Sequence, residues 1–385
     1  MKYIFILGNN SELSIAEIKA VLPTAKILAV GKEYLGVEAP KFDCQEMITR
    51  LGGTIKIGIF LGNKFDEGPV LGTASTATGR FNFGFSFYNQ KSSDIGMSIK
   101  KQLKAKGISS RLVVSREQAL SSVIVTKEKC HDFLIGPDFF GMTCAVQDFK
   151  EYGERDFGRP KSDALSGMLP PKVAKMMINL SMAEKDQIIL DPFCGSGTIL
   201  SEALAMGFES LIGCDNSEKA INDSKENLKW LADKLPARIA TQSIAGGRIK
   251  NEELRIFKSD VRNLSQEIKE KSVDAIITEP YLGPAMRGSE SEEKIQQIIN
   301  ELEDLYTLAF AEFKKVLKAG GKAIVIMPEW HIQNKIWNLS ASGRIEKVKK
   351  MGFEKLDKNN LYYKREDQKV WRQITVWQKI SQLAD

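Results

Sequence analysis

Residues 187–190 are apolar enough for a buried strand and run directly into Asp191-Pro192-Phe193-Cys194-Gly195-Ser196-Gly197-Thr198, a glycine turn that opens an amphipathic helix over 198–206. Gly195 and Gly197 carry no Cβ to keep a ligand off the backbone, and the first amides of the helix are left without intrahelical partners. About twenty residues later a second strand, 210–215, ends in Asp215 and Asn216, and an acid at that strand end is placed to accept ribose hydroxyls. The spacing differs from the three-glycine pattern of dinucleotide sites. Cys194 reads as a small apolar filler, since nothing near it in sequence would activate a thiol.

This turn needs a parallel sheet with helices on both faces, and the remainder of residues 151–385 supplies one. Further strands are predicted over 254–260, Val273–Thr278 and 322–327, with helices over 217–235 and 292–317 between them. An alternating segment at 370–377 is predicted to close the sheet as an antiparallel edge hairpin with 361–364. Gly195, Asp215, Asp260 and Glu279 then share the carboxyl ends of the strands, where a doubly wound α/β sheet binds its ligands.

Residues 1–150 read differently. An α+β unit over 1–62 comprises the strand Lys2–Leu7, a helix over 11–22, a helix over 42–51 closed by Gly52-Gly53, and a strand over 54–61. Residues 63–79, rich in Gly, Thr, Ser and Ala, read as a linker or loop. A second unit over 63–150 follows, with a strand at 81–88, a helix at 94–106, and strands at 111–115, 122–125 and 139–147. Phe81, Phe83, Phe85 and Phe87 alternate onto one face, which is either a core-facing sheet or a platform for stacked bases.

Charge is uneven. Lys and Arg number 19 against 14 Asp and Glu in residues 1–150, and 36 against 35 in the remainder. The densest basic run holds Lys100, Lys101, Lys104 and Lys106, with Arg111 and Arg116 close behind; it is the footprint of a polyanion partner or a solvated helix face. The five cysteines lack paired spacing and the two histidines, His131 and His331, lie far apart, so neither a disulfide nor a metal site is expected. No apolar run is long enough to span a bilayer and residues 1–30 do not read as a leader, so a cytoplasmic protein with no membrane partner is expected.

Two more segments carry chemistry. Arg155-Asp156-Phe157-Gly158-Arg159-Pro160 and Gly167-Met168-Leu169-Pro170-Pro171 introduce a helix with Pro near its first turn. The fourth strand ends in Thr278-Glu279-Pro280-Tyr281-Leu282-Gly283. The string at 191–198 followed by Asp215 resembles motifs I and II of S-adenosylmethionine-dependent methyltransferases, most closely those that methylate amino groups of bases. The resemblance implies a Rossmann-like class I fold and S-adenosylmethionine as cofactor, held by Asp191, Phe193, Gly195, Gly197, Thr198, Asp215 and Asn216. Met168 and Leu169 stand in the position of motif X, against the methionine end, or else belong to a helix that merely packs on the sheet. Asp260 would accept the adenine amine while Val261 covers the ring, unless Asp260 only caps a helix.

Those enzymes carry Asp/Asn/Ser-Pro-Pro-Tyr where this chain has Thr278-Glu279-Pro280-Tyr281. An exocyclic amine has its lone pair drawn into the ring, so the site must accept its hydrogens with oxygens, stack the extruded base and aim the nitrogen at the methyl carbon. Tyr281 can stack and Pro280 can shape the turn. Either Glu279 supplies the accepting carboxylate, or another group is accepted, or catalysis is lost. Together with Ser14 to Ile18, Leu51-Gly52-Gly53, Phe83 to Ser86, Val146-Gln147-Asp148 and the Arg372 strand, these segments resemble the THUMP-domain tRNA guanosine-N2 methyltransferases. That resemblance implies ferredoxin-like and THUMP regions ahead of the catalytic domain, tRNA as partner, and contacts from Lys100, Lys101, Lys104 and Arg111. A DNA amino-methyltransferase and a non-catalytic RNA-binding protein are the rival readings.

Overall fold

A computed structural model describes residues 1–162, 168–235, 254–339, 344–357, 360–365 and 368–380. It divides into two compact units, Met1–Tyr152 and Gly153–Asp385.

The first unit is built on one sheet of eight strands: β1 (Lys2–Leu7), β2 (Lys26–Val30), β3 (Tyr34–Glu38), β4 (Thr54–Gly62), β5 (Phe81–Phe87), β6 (Ser110–Leu112), β7 (His131–Ile135) and β8 (Phe140–Val146). They lie in the order β2-β3-β1-β4-β8-β7-β5-β6. The helix Ser11–Val21 buries Leu13, Glu17, Ile18 and Val21 at helical spacing. Glu17 is there as an anchor, because its carboxylate accepts the amides of Gly52 (2.7 Å) and Gly53 (2.9 Å) while Ser14 Oγ donates to the Gly53 carbonyl. Gln147 Nε2 donates to the Gly52 carbonyl from the other side. Phe81, Phe83, Phe85 and Phe87 are buried, packed with Ile99 and Leu103 of the helix Ile95–Ala105. Of the two readings of that aromatic row, the core is the one the fold adopts.

Three expectations are corrected. Residues 63–79 contain a helix, Glu67–Thr76, because Asp66 caps it through the Gly68 amide and Val70 and Ala74 find the core despite poor intrinsic propensity. Residues 122–125 are helical rather than extended: Ser121 Oγ accepts from the Ile124 amide and starts the helix Ser122–Lys127, overriding the strand preference of Val123, Ile124 and Val125. Cys44 and Cys144 form a disulfide with Cα atoms 6.1 Å apart. The helix Cys44–Arg50 packs on β8 and so brings together residues one hundred apart in sequence, which spacing along the chain does not reveal.

The second unit is a doubly wound sheet: β9 (Ile188–Asp191), β10 (Ser210–Asp215), β11 (Leu254–Lys258), β12 (Val273–Thr278), β13 (Leu317–Ile332), β14 (Lys335–Asn338), β15 (Phe353–Lys355), β16 (Leu361–Tyr363) and β17 (Val370–Lys379). The path runs β11-β10-β9-β12-β13-β17-β15, with β14 on β13 and β16 on β17. Strands from β11 through β13 are parallel, and β17 is antiparallel to β13. The order reverses between β9 and β12, which opens a crevice at their carboxyl ends. β17 joins β13 and forms the expected antiparallel hairpin with residues 361–363 at the end of the sheet; β15 also pairs with its outer side, and Arg372 through Val376 are buried. Trp377 on the same strand is fully buried against Phe310.

In the first unit Lys56 of β4 is buried with Asp132 of β7 at 2.6 Å; Ser86 and Thr143 complete the carboxylate's hydrogen bonds. Removing one member leaves a buried charge uncompensated, so Lys56→Ala is expected to cost roughly 3–5 kcal/mol, whereas replacing both Lys56 by Met and Asp132 by Leu restores much of it. Urea denaturation of the three proteins checks this, and an unshifted midpoint in Lys56→Ala would contradict it.

Candidate active site

The turn after β9 is fixed by its own backbone. The Cys194 amide donates to the Cys214 carbonyl (2.9 Å) and the Gly197 amide to the Cys194 carbonyl (2.8 Å), which locks the turn against β10. Gly195 and Gly197 have φ of +52° and +83°. At Gly197 an added Cβ would lie 2.5 Å from Ser224 Oγ, so the glycine is needed for packing; at Gly195 it would meet nothing within 4 Å. Gly195 therefore faces open space on a strained turn, as a backbone reserved for a ligand should. The helix Thr198–Ala205 begins immediately, and no side chain caps it.

Asp215, at the end of β10, reaches back to this turn: Oδ2 accepts from the Gly195 amide at 3.0 Å and Oδ1 from the Ser217 amide at 2.9 Å. Phe193 is half-buried and leans on the core, while Asn216 is exposed. The upstream segment joins the same turn through Arg159, whose Nη1 donates to Thr198 Oγ1 (2.7 Å) and Nη2 to Met168 Sδ (2.8 Å). Leu169 is buried beside them; Gly167 lies outside the described residues. Burial raises the Cys194 thiol well above its usual range, in keeping with a filler.

The end of β12 meets the end of β9. Thr278 Oγ1 donates to Asp191 Oδ1 at 2.7 Å, and the Phe193 amide donates to the same oxygen at 3.2 Å. Asp191 is almost completely buried, and desolvation raises its pKa to about 7 against the pull of those two donors. Next along the chain, Glu279 Oε1 accepts from Arg372 Nε at 2.5 Å. Burial raises the Glu279 pKa and Arg372 opposes the rise. Pro280 is buried and Tyr281 is 58% exposed. The Tyr281 carbonyl accepts from Tyr306 Oη, which also reaches the Ile326 carbonyl. A carboxylate, a shaping proline and a free aromatic ring thus stand in sequence at the crevice.

Asp260 is occupied locally. Its Oδ1 accepts from the Arg262 amide and Nε, both at 2.9 Å, so the carboxylate caps the short turn Val261–Asn263 and its pKa falls. Val261 is buried in the core with Leu264 and Ile268. Of the two readings of Asp260, the cap is the one drawn in this geometry. In the first unit Lys100, Lys101 and Lys104 are exposed on a helix whose opposite face buries Gly96, Ile99 and Leu103, and Arg111 is paired with Glu128 at 2.7 Å. Among the described residues no group of His, Cys, Asp and Glu is arranged to hold a metal ion, and no helix is long and apolar enough to cross a membrane.

Residues 159–357, just over half of the chain, match the model of the RMKL-like methyltransferase domain. The chain belongs to that family. It is 31% identical over 170 residues to a tRNA (guanine(10)-N2)-dimethyltransferase of Methanocaldococcus jannaschii, a match covering 43% of this chain and 44% of that protein. The chain thus spans less than half of this relative's length. A Pyrococcus abyssi protein of the same description is 24% identical over 318 residues, covering 80% of this chain and 88% of its own. TrmN from Thermus thermophilus shares the fold at a TM-score of 0.50 and 16% identity, covering 99% of this chain and all of that structure.

Arg372 and Arg159 belong to segments noted in the sequence without a role in the site. A signal for Arg372 was present: one cation at an inward position of an otherwise apolar, alternating strand.

Asp191 yields a pH prediction. Its folded pKa, about 7, lies above the ordinary 3.8, so the folded state holds the proton more tightly. Its stabilising contribution is present below about pH 4 and is lost as pH rises to about 7. Asp191→Asn keeps an oxygen for Thr278 and is expected to flatten the fall in stability across that window. Thermal melts at pH 4.5 and 7.5 measure it; equal slopes in wild type and variant would contradict the assignment.

Proposed function

We propose that the chain transfers the methyl group of S-adenosylmethionine to N2 of a guanosine in tRNA. One observation carries the reading: the hydrogen bond between Asp191 and Thr278 joins the glycine turn, with its uncapped helix and Asp215, to a strand end bearing Glu279, Pro280 and Tyr281. The residues present fit this cofactor. Gly195 leaves space for it, Asp215 can exchange its amide bond for ribose hydroxyls, and Arg159 with Met168 borders the helix start. The bound cofactor supplies an electrophilic methyl on a sulfonium.

This chain's residues do the remainder. Tyr281 stacks the extruded base, and Glu279 accepts an amine hydrogen and turns the nitrogen lone pair out of the ring. These residues would hold the amine nitrogen in line with the methyl carbon, so that the N–C bond would form as the C–S pair returned to the departing thioether, and Glu279 or water would take the surplus proton from nitrogen. The relatives' names give guanine-10 and two methyl groups, and both are taken over here. The methylated amine retains one hydrogen for a second round.

The first unit is proposed as the RNA-binding region, ferredoxin-like followed by THUMP-like, with Lys100, Lys101 and Lys104 on phosphates; a tRNA substrate places the protein in the cytoplasm. Support comes from their exposure on one helix face. Arg111, held by Glu128, is a weaker contact.

Methyl incorporation from labelled S-adenosylmethionine into tRNA transcripts, with nucleosides identified by mass spectrometry, tests the reading. N2-methylguanosine and its dimethyl form are expected. Asp215→Ala should weaken cofactor binding by roughly 1.5–3 kcal/mol, and alanine at Lys100, Lys101 and Lys104 together should weaken tRNA binding and flatten its salt dependence by roughly 0.7–0.9 per lost contact. Label confined to duplex DNA, or cofactor binding without turnover on any tRNA, would overturn it.

A further inference from the structure

We propose that Glu279 is the residue that selects guanine, and that Arg372 is the positioning residue that aims it: the carboxylate accepts the ring N1–H and the N2 amine hydrogen of the target base together. This rests on the tRNA guanine-N2 reading and deepens it.

The geometry supplies three conditions. Glu279 has one oxygen, Oε1, fixed by Arg372 Nε, while Oε2 has no hydrogen-bond partner among the described residues. Arg372 is itself held still: β17 pairs it with Pro328 of β13 on one side and with Tyr363 of β16 on the other, and its side chain is 8% exposed. Tyr281, two residues beyond Glu279, exposes its ring where a base would stack. The carboxylate thus keeps unused lone pairs, two residues from an exposed aromatic side chain.

Base chemistry then decides what fits. An ionised carboxylate is purely an acceptor with about four lone-pair sites. Guanine presents two adjacent donors on its Watson–Crick edge, N1–H and the N2 amine. Adenine and cytosine place a ring acceptor beside their amine, and uracil has no amine. Against a carboxylate clamped by Arg372 and withdrawn from water, a ring acceptor meets an acceptor, and the mismatch goes unrelieved. Burial raises the Glu279 pKa and Arg372 opposes the rise, and the hydrogen bond from Arg372 Nε to Oε1 favours the ionised, accepting form. At the second position of the tetrapeptide, Glu279 therefore adds selection to amine acceptance.

The test uses the full chain and two tRNA transcripts that differ only at the nucleotide wild type methylates, guanosine in one and 2-aminopurine in the other. 2-Aminopurine keeps the amine at the same place but turns N1 into an acceptor and lacks O6. Wild type is expected to methylate guanosine at least about a hundredfold faster in single turnover. Glu279→Gln offers one acceptor and one donor, which matches 2-aminopurine, so the preference should collapse or invert. Arg372→Gln should move the rising limb of the rate–pH profile to higher pH, which a purely structural role would leave in place.

Equal wild-type rates on the two transcripts, a measurement that needs no variant, would overturn the inference while the function stands. So would an unchanged preference in folded Glu279→Gln. Absence of any methylation on tRNA guanosine would instead remove the reading on which it rests.

Discussion

The hydrogen bond from Thr278 Oγ1 to Asp191 Oδ1 is the constraint on which the second unit's site depends. It joins the carboxyl ends of two neighbouring parallel strands at the point where the strand order reverses, and the crevices of such sheets open there. Asp191 is too deeply buried to lack partners, and the two it has, the Thr278 hydroxyl and the Phe193 amide, belong to the two segments that must be aligned. One side chain thereby sets both the entry into the glycine turn and the exit into Glu279-Pro280-Tyr281. Asp191 is 1% exposed, and this burial is what raises the pKa of its carboxyl group.

The second constraint comes from the far end of the chain. β17 enters between β13 and β15 against the direction of its neighbours, and its register sets Arg372 beside Glu279. A partly buried carboxylate needs a cation. The late antiparallel strand meets the need, while Trp377 on the same strand seals the core against Phe310. Tyr306, from the helix Glu292–Val316, donates to the Tyr281 carbonyl and steadies the same loop. Catalytic placement and core packing are therefore parts of one strand arrangement.

Much of this was legible in the sequence. β10 and β12 begin and end where the apolar runs do, and the glycine turn with Asp215 is assembled as the spacing required. Composition misled where a local cap decided: Ser121 and Asp66 started helices in segments whose composition argued otherwise. Long-range pairings were illegible for a different reason. Nothing in the order of residues places Cys144 against Cys44, Lys56 against Asp132, or Arg372 against Glu279; only the packing of distant elements does.

The most direct test of this account is a crystal structure of the chain with S-adenosylhomocysteine, the demethylated product of the cofactor. The account predicts the ribose hydroxyls on the Asp215 carboxylate in exchange for the Gly195 amide, the ligand lying over Gly195, and its sulfur directed toward Glu279 and Tyr281. A ligand bound elsewhere, with Asp215 still on the Gly195 amide and Glu279 remote from the sulfur, would contradict it.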